Sequence, residues 1–256
     1  MTPEPPPEEL LPPPPPPPSP PDTYPFWGYL DLLGFILIAL AGILVESLLL
    51  RAVTAATHIK EAYLLIPAQV VLYGFLLGGL ALIFRRYYGR PFWSSLRWQA
   101  GPLRVSSIIG WGIVVAFVVM LASVAMRTPD INSPMKALLE DPVSVVMIAI
   151  VGTTLAPLCE EIVFRGFLQP LLVRSFGPAL GILLAAAAFG LMHLQEYGNS
   201  WRHALLIGGA GASFGWMRYQ TGSTKAAVLM HAAYNGVFFV GLAAGQLATH
   251  ARWASP

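Results

Sequence analysis

The sequence predicts an all-α fold, a polytopic transmembrane bundle of about seven spanning helices. Three observations predict it. Apolar residues make up 55% of the 256-residue chain and charged residues only 11%, whereas a soluble domain carries about 25% charged residues. Apolar runs near or above the roughly 18 to 20 residues that cross hydrocarbon recur along the chain. Between them lie turn-forming residues: Pro91, Gly101-Pro102, Pro129, Asp141-Pro142, Gly177-Pro178 and Thr221-Gly222-Ser223.

Residues 1–25 hold most of the prolines, including the run Pro12 to Pro18. Proline has no backbone N–H to donate, so this tail is expected to be extended polyproline II or disordered. Such a tail is also a type of ligand for an SH3-like partner, although a solvated tail is the simpler reading. Apolar stretches follow at 26–50, 61–84, 105–126, 142–164, 178–196, 202–218 and 224–247. They group into N-terminal transmembrane helices and loops over 26–141, a helical core over 142–247 and a short C-terminal tail over 248–256. Small residues at helix-packing spacing, Gly74/Gly78 and Gly208, Gly209, Ala212, Gly215, are expected to let backbones approach closely.

A formal charge of +2 and the lack of a basic stripe with interleaved aromatics argue against nucleic acid as a partner. The single cysteine, Cys159, excludes an intrachain disulfide and a paired-cysteine zinc motif. The loop bearing Arg85, Arg86, Arg90, Arg97 and Arg104 is expected to stay in the cytoplasm. That places the N-terminus in the cytoplasm as well, in a protein integral to the membrane, with the bacterial inner membrane as the expected location.

Chemistry-bearing residues cluster in the C-terminal half. The fourth stretch ends in Cys159-Glu160-Glu161-Ile162-Val163-Phe164-Arg165-Gly166. An ionisable residue at membrane depth costs roughly 2.5 to 3.5 kcal/mol on insertion scales, so adjacent carboxylates there imply a role. Glu161 and Arg165, four apart in the favourable order, can pair, and Glu160, about 100° around the helix, is left to act on a ligand. The bland alternative is that these residues mark the interfacial end of the helix. Phe189 and His193 share a face of the fifth stretch, as do His231 and Asn235 in the seventh. His58, His203 and His250 fall in loops or the tail and read as surface residues.

A carboxylate and an imidazole holding one water supply a base and a proton shuttle for amide hydrolysis, while a second imidazole and a carboxamide stabilise an oxyanion. Glu160, His193 and His231 could equally be metal ligands, zinc being the natural candidate. The sequence leaves both arrangements open. On the deduced orientation, Glu160 lies near the cytoplasmic end of its helix and His231 two turns in. His193 lies about 22 Å deep at about 1.5 Å per residue, a mismatch within one proposed site.

The strings EEIVFRG, FGLMH and HAAYN resemble the EExxxR, FxxxH and HxxxN motifs of the CPBP family, which comprises type II CAAX prenyl endopeptidases and Abi-like proteins of bacteriocin processing and immunity. The resemblance covers about residues 142–240. Arg174-Ser175-Phe176-Gly177-Pro178 and Thr221-Gly222-Ser223 resemble its connecting segments, whereas Lys225-Ala226-Ala227 replaces the bulkier apolar residues usual there. It implies an intramembrane endopeptidase acting on a membrane-associated or lipidated, CAAX-like peptide substrate. It further implies Glu160 as the water-activating carboxylate, Glu161 and Arg165 as its companions, His193 as its partner on the water, and His231 with Asn235 as the oxyanion pair. A non-enzymatic immunity or peptide-binding membrane protein is the alternative, and a proton-coupled transporter a third.

Other features carry less. Gly211-Ala212-Ser213-Phe214-Gly215 fits a nucleophile-elbow pattern, but that motif needs a strand-to-helix turn. Cys159 reads as a small buried hydrophobe. Asp31 and Glu46, near the ends of the first stretch, can reach interfacial water.

Overall fold

A computed structural model describes residues 23–57, 59, 61–129 and 142–253. Residues 1–22, most of the proline-rich tail, lie outside the described residues, as do His58, Lys60 and Asp141. The described chain is helical, without strands: α1 Tyr29–Ala56, α2 Glu61–Tyr88, α3 Phe92–Ser95, α4 Val105–Ala125, α5 Pro142–Thr153, α6 Leu155–Glu161, a π-helical segment Ile162–Leu168, α7 Gln169–Phe176, α8 Pro178–Met192, α9 Trp201–Thr221 and α10 Thr224–Trp253.

Among the described residues, five segments are long and apolar enough to cross a membrane: Tyr29–Ala56, Tyr63–Tyr88, Val105–Ala125, Val143–Phe176 and Thr224–Leu242. The seven expected stretches are all helical, but two fall short of this criterion. At 15 residues, α8 spans about 22 Å, less than the roughly 30 Å of a hydrocarbon core. Polar residues dilute α9, which contains Arg202, His203, Arg218 and Gln220. Leu30, Leu33, Leu37, Leu40, Leu44 and Leu48 are all exposed along α1, as suits a helix whose solvent is lipid rather than water.

The fourth segment departs most from the sequence expectation. Helix does not stop after the acidic pair; it continues through the π turn to Phe176. Glu160 therefore lies sixteen residues, about 24 Å, from the C-terminal end of this segment. His193 ends the antiparallel α8 about 22 Å from its start, so the two side chains occupy one layer. The expected position of Glu160 near a helix end is corrected, and the depth mismatch goes with it. The helix can continue because Arg165 finds an ion-pair partner inside the bundle and need not reach water.

Two tight joints set the register of this half. Gly177, at φ +78°, turns α7 into α8 with Pro178 in the first helical turn, as expected where only glycine tolerates a left-handed backbone. A Cβ on Gly190 would come within 2.3 Å of the Ala204 carbonyl oxygen, so glycine is what permits α8 and α9 to touch. Of the small residues singled out by spacing, Gly208 faces Ala186 and Gly215 faces Gln169, but Gly74, Gly78 and Gly209 meet nothing within 4 Å. Gly42 and Gly79 make the close approach between α1 and α2 instead.

The segment before α1 is clamped into the bundle. Trp27 is fully buried, donates from Nε1 to the Phe167 carbonyl at 3.1 Å and stacks on the Phe167 ring. Phe84, Leu80, Leu96 and Ile162 belong to the same cluster. Tyr24 accepts a hydrogen bond from Arg218 at 2.8 Å, and Arg174 donates to the Pro25 carbonyl. The N-terminal strap thus ties α2 to the acidic segment. Trp27→Ala should lower stability by about 3–5 kcal/mol, the usual loss for truncating a buried aromatic, measured as a fall in unfolding free energy in detergent or bicelles.

Candidate active site

Glu161 organises the centre. It is fully buried, and its Oε1 accepts from Arg165 Nη1 at 2.9 Å and from His231 Nδ1 at 2.9 Å. The pairing with Arg165 is the i, i+4 contact expected from sequence; that with His231, seventy residues on, joins α10 to the acidic segment. Arg165 is also fully buried. Its Nη2 donates to the Gly211 carbonyl at 2.7 Å, and its guanidinium lies 4.4 Å from the centre of the Phe189 ring and 5.6 Å from that of Phe214. Stacking on aromatic faces suits a guanidinium withdrawn from water. A Cβ on Gly211 would come within 2.8 Å of Arg165 Nη2, so the α9 backbone must be bare here. One turn further, Gln169 repeats the pattern by donating to Gly215 at 2.9 Å.

These contacts fix His231. Its ring stacks on Phe214 at 4.5 Å and meets Phe189 edge-on at 5.8 Å. With the Nδ1 proton committed to Glu161, Nε2 is the nitrogen left for chemistry. It lies 3.9 Å from Glu160 Oε2. That exceeds a direct hydrogen bond, but two contacts of about 2.8 Å meeting near a right angle span about 4 Å, so one water can touch both atoms. The other oxygen of Glu160 accepts from the Tyr73 hydroxyl at 3.3 Å.

His193 caps the C-terminal end of α8, and its Nδ1 lies 2.8 Å from the Phe189 carbonyl oxygen. A carbonyl only accepts, so Nδ1 carries a proton, and the neutral form of the ring would present its lone pair at Nε2. Its ring lies 4.6 Å from that of Phe189, so the two histidines flank one aromatic ring. Asn235, one turn beyond His231, donates to the Gly152 carbonyl at 2.7 Å. Gly152 sits where α5 breaks at Thr154, whose backbone is not helical. One of the two Asn235 amide protons is thereby committed to a carbonyl freed by the break, and the other is available.

Glu160, Glu161, Arg165 and His231 thus form one contiguous cluster, with His193 across Phe189 and Asn235 a turn away. Among the described residues no group of three His, Cys, Asp or Glu side chains is disposed to hold a metal ion. Glu160, His193 and His231 are not among any such group. Ser213 donates back to the Gly209 carbonyl at 3.2 Å while its neighbour Phe214 covers His231, which leaves the hydroxyl out of the cluster. Cys159 is buried. Asp31 accepts from Tyr88 at 2.6 Å and from the Gly28 N–H at 2.8 Å, a helix-start role. His203 bonds Ser200 at 2.9 Å.

Two further groups had no motif to announce them. Tyr73 comes from α2, in a stretch that reads as plain apolar helix. Glu196 follows His193 in the turn after α8 and interacts electrostatically with His193 and Glu160. Its side chain is exposed. The FGLMHLQE string could have flagged it, as an acid one turn beyond the histidine.

A buried pair that loses one partner leaves an uncompensated charge, which costs about 3–5 kcal/mol. Glu161→Ala and Arg165→Ala should each lose stability on that scale. Glu160→Gln, at a side chain 16% exposed, should change it by less than about 1 kcal/mol. Equilibrium unfolding of the three variants checks the contrast.

Compared with known families, residues 142–237 match the model described as type II CAAX prenyl endopeptidase Rce1-like. No curated protein and no solved structure matches the chain. The matched segment begins with α5 and includes every clustered side chain except Tyr73. The helical segment that gathers Glu160, Glu161, Arg165, His193, His231 and Asn235 is thus the part of the chain that is similar to the Rce1-like type II CAAX prenyl endopeptidases.

Proposed function

We propose that this protein is an intramembrane endopeptidase that hydrolyses a peptide bond in a membrane-associated or lipidated, CAAX-like substrate, using water activated by Glu160. The observation that carries the reading is the facing of Glu160 Oε2 and His231 Nε2 across 3.9 Å, with the far side of the imidazole held by a fully buried carboxylate. A general base needs a free lone pair within reach of one water. Holding the second group rigid keeps that water in place at no cost during the reaction.

In this mechanism Glu160 takes a proton from water as the oxygen attacks the scissile carbonyl carbon. The carbonyl π pair moves to its oxygen. That oxyanion accepts hydrogen bonds from His231, when its ring is protonated at Nε2, and from the Asn235 proton not engaged with Gly152. Collapse re-forms the carbonyl and breaks the C–N bond, while the proton held by Glu160 passes to the leaving nitrogen. His193, with its Nε2 lone pair, is the second acceptor for the water. Glu161 and Arg165 hold His231 rather than touching substrate. No step is routed through a metal. The arginine-rich loop between α2 and α4 supports a cytoplasmic N-terminus, and we place the protein in the bacterial inner membrane.

The test is cleavage by purified protein, in proteoliposomes, of a peptide bearing an S-farnesyl cysteine four residues from its C-terminus. Glu160→Gln should abolish release of the terminal tripeptide, a loss of at least about 10²-fold as befits a general base, while the protein remains folded. Turnover by that variant at the wild-type rate would sink the assignment. Tight peptide binding that is unchanged by Glu160→Gln, with no cleavage by either form, would favour a sequestering protein instead.

A further inference from the structure

The family match starts at residue 142, yet one group in contact with the candidate base comes from outside it. Tyr73 lies on α2, is 7% exposed, and donates its hydroxyl proton to Glu160 Oε1 at 3.3 Å. Around it α2 packs on α5 and α6, which carry the approach to the acidic pair.

Packing alone does not explain a tyrosine here. A phenylalanine would fill the same space, and a buried phenol whose O–H lacked an acceptor would be destabilising. The hydroxyl therefore has a use, and the carboxylate it meets is the one facing His231. By engaging Oε1, the phenol selects one rotamer of Glu160 and turns Oε2 toward His231 Nε2, 3.9 Å away. A glutamate has three side-chain torsions and would otherwise sample several positions. The opposite imidazole is held by Glu161, whereas the hydrogen bond to the Glu160 carboxylate comes from Tyr73. The ring of Tyr73 is clamped between helices, so it can impose its position on the carboxylate rather than follow it.

We propose that Tyr73 is a positioning residue for Glu160, supplied by the N-terminal half of the chain, so that the site is complete only when α2 is docked against the Rce1-like core. This rests on Glu160 acting as the base. Its consequence is kinetic. Removing the hydroxyl leaves substrate contacts intact but lets the carboxylate leave the attack geometry, which lowers kcat and spares KM. A hydrogen bond to a charged group corresponds to roughly a tenfold to hundredfold change.

The experiment compares wild type, Tyr73→Phe and Glu160→Gln as full-length proteins in proteoliposomes, with the S-farnesylated peptide as probe, alongside their melting temperatures. Tyr73→Phe is expected to lower kcat about tenfold to a hundredfold with KM and melting temperature unchanged, and Glu160→Gln to be inactive. Wild-type kcat in Tyr73→Phe, with Glu160→Gln inactive, would overturn the positioning role and leave the peptidase reading standing. Full activity in Glu160→Gln would overturn that reading itself. As a control against misfolding, 3-fluorotyrosine at position 73 keeps the hydroxyl and should retain wild-type kcat. A loss there as deep as in Tyr73→Phe would also overturn the proposal.

Discussion

One buried carboxylate, Glu161, ties the site to the fold. Its Oε1 is shared between Arg165 and His231, and these three side chains are buried. Charges in such a place destabilise a protein unless each has partners, and here the arrangement supplies them reciprocally. Arg165 is neutralised by Glu161 and faced by three aromatic rings, and Glu161 in turn aligns the imidazole. Since loss of either partner strands the other, fold and chemistry share one set of contacts.

Several local devices bring these groups together. The π-helical segment 162–168 spreads the acidic pair, Arg165 and Gln169 so that they address α9 and α10 at once; such segments recur at functional sites. Gly211 and Gly215 bare the α9 backbone where Arg165 and Gln169 must reach its carbonyls. At the other end, the Thr224 N–H bonds the Arg97 carbonyl at 3.1 Å, which anchors the start of α10 inside the bundle. From there His231 is two turns on. Ala226 and Ala227, small where the family resemblance leads one to expect bulk, are both buried, so the tight entrance of α10 selects small residues.

What could be read from the sequence was local. The Glu161–Arg165 pair and the Phe189–His193 face follow from a 3.6-residue period, and the structure has both contacts. The apolar runs gave the helices to within a few residues at most ends. The contacts that depend on how helices face one another could not be read this way. Nothing in HAAYN says that its histidine will bond Glu161 through Nδ1, or that its asparagine will close the break at Thr154. Tyr73 is silent for the same reason, because its neighbour is 87 residues away. Gly74 and Gly78 show the converse: the right spacing on a face that meets no helix. The apparent end of the fourth stretch misleads because a charged arginine reads as a boundary, whereas the charge of Arg165 is satisfied inside the bundle.

Glu161 and His231 act on each other directly within the bundle. A double-mutant cycle on unfolding free energy, with Glu161→Gln, His231→Phe and the pair, tests it most directly. A coupling of about 1–3 kcal/mol is expected, as for residues sharing a buried hydrogen bond. Additive losses, agreeing within about 0.3 kcal/mol, would show that the two side chains do not interact and would remove the support on which the alignment of the imidazole rests.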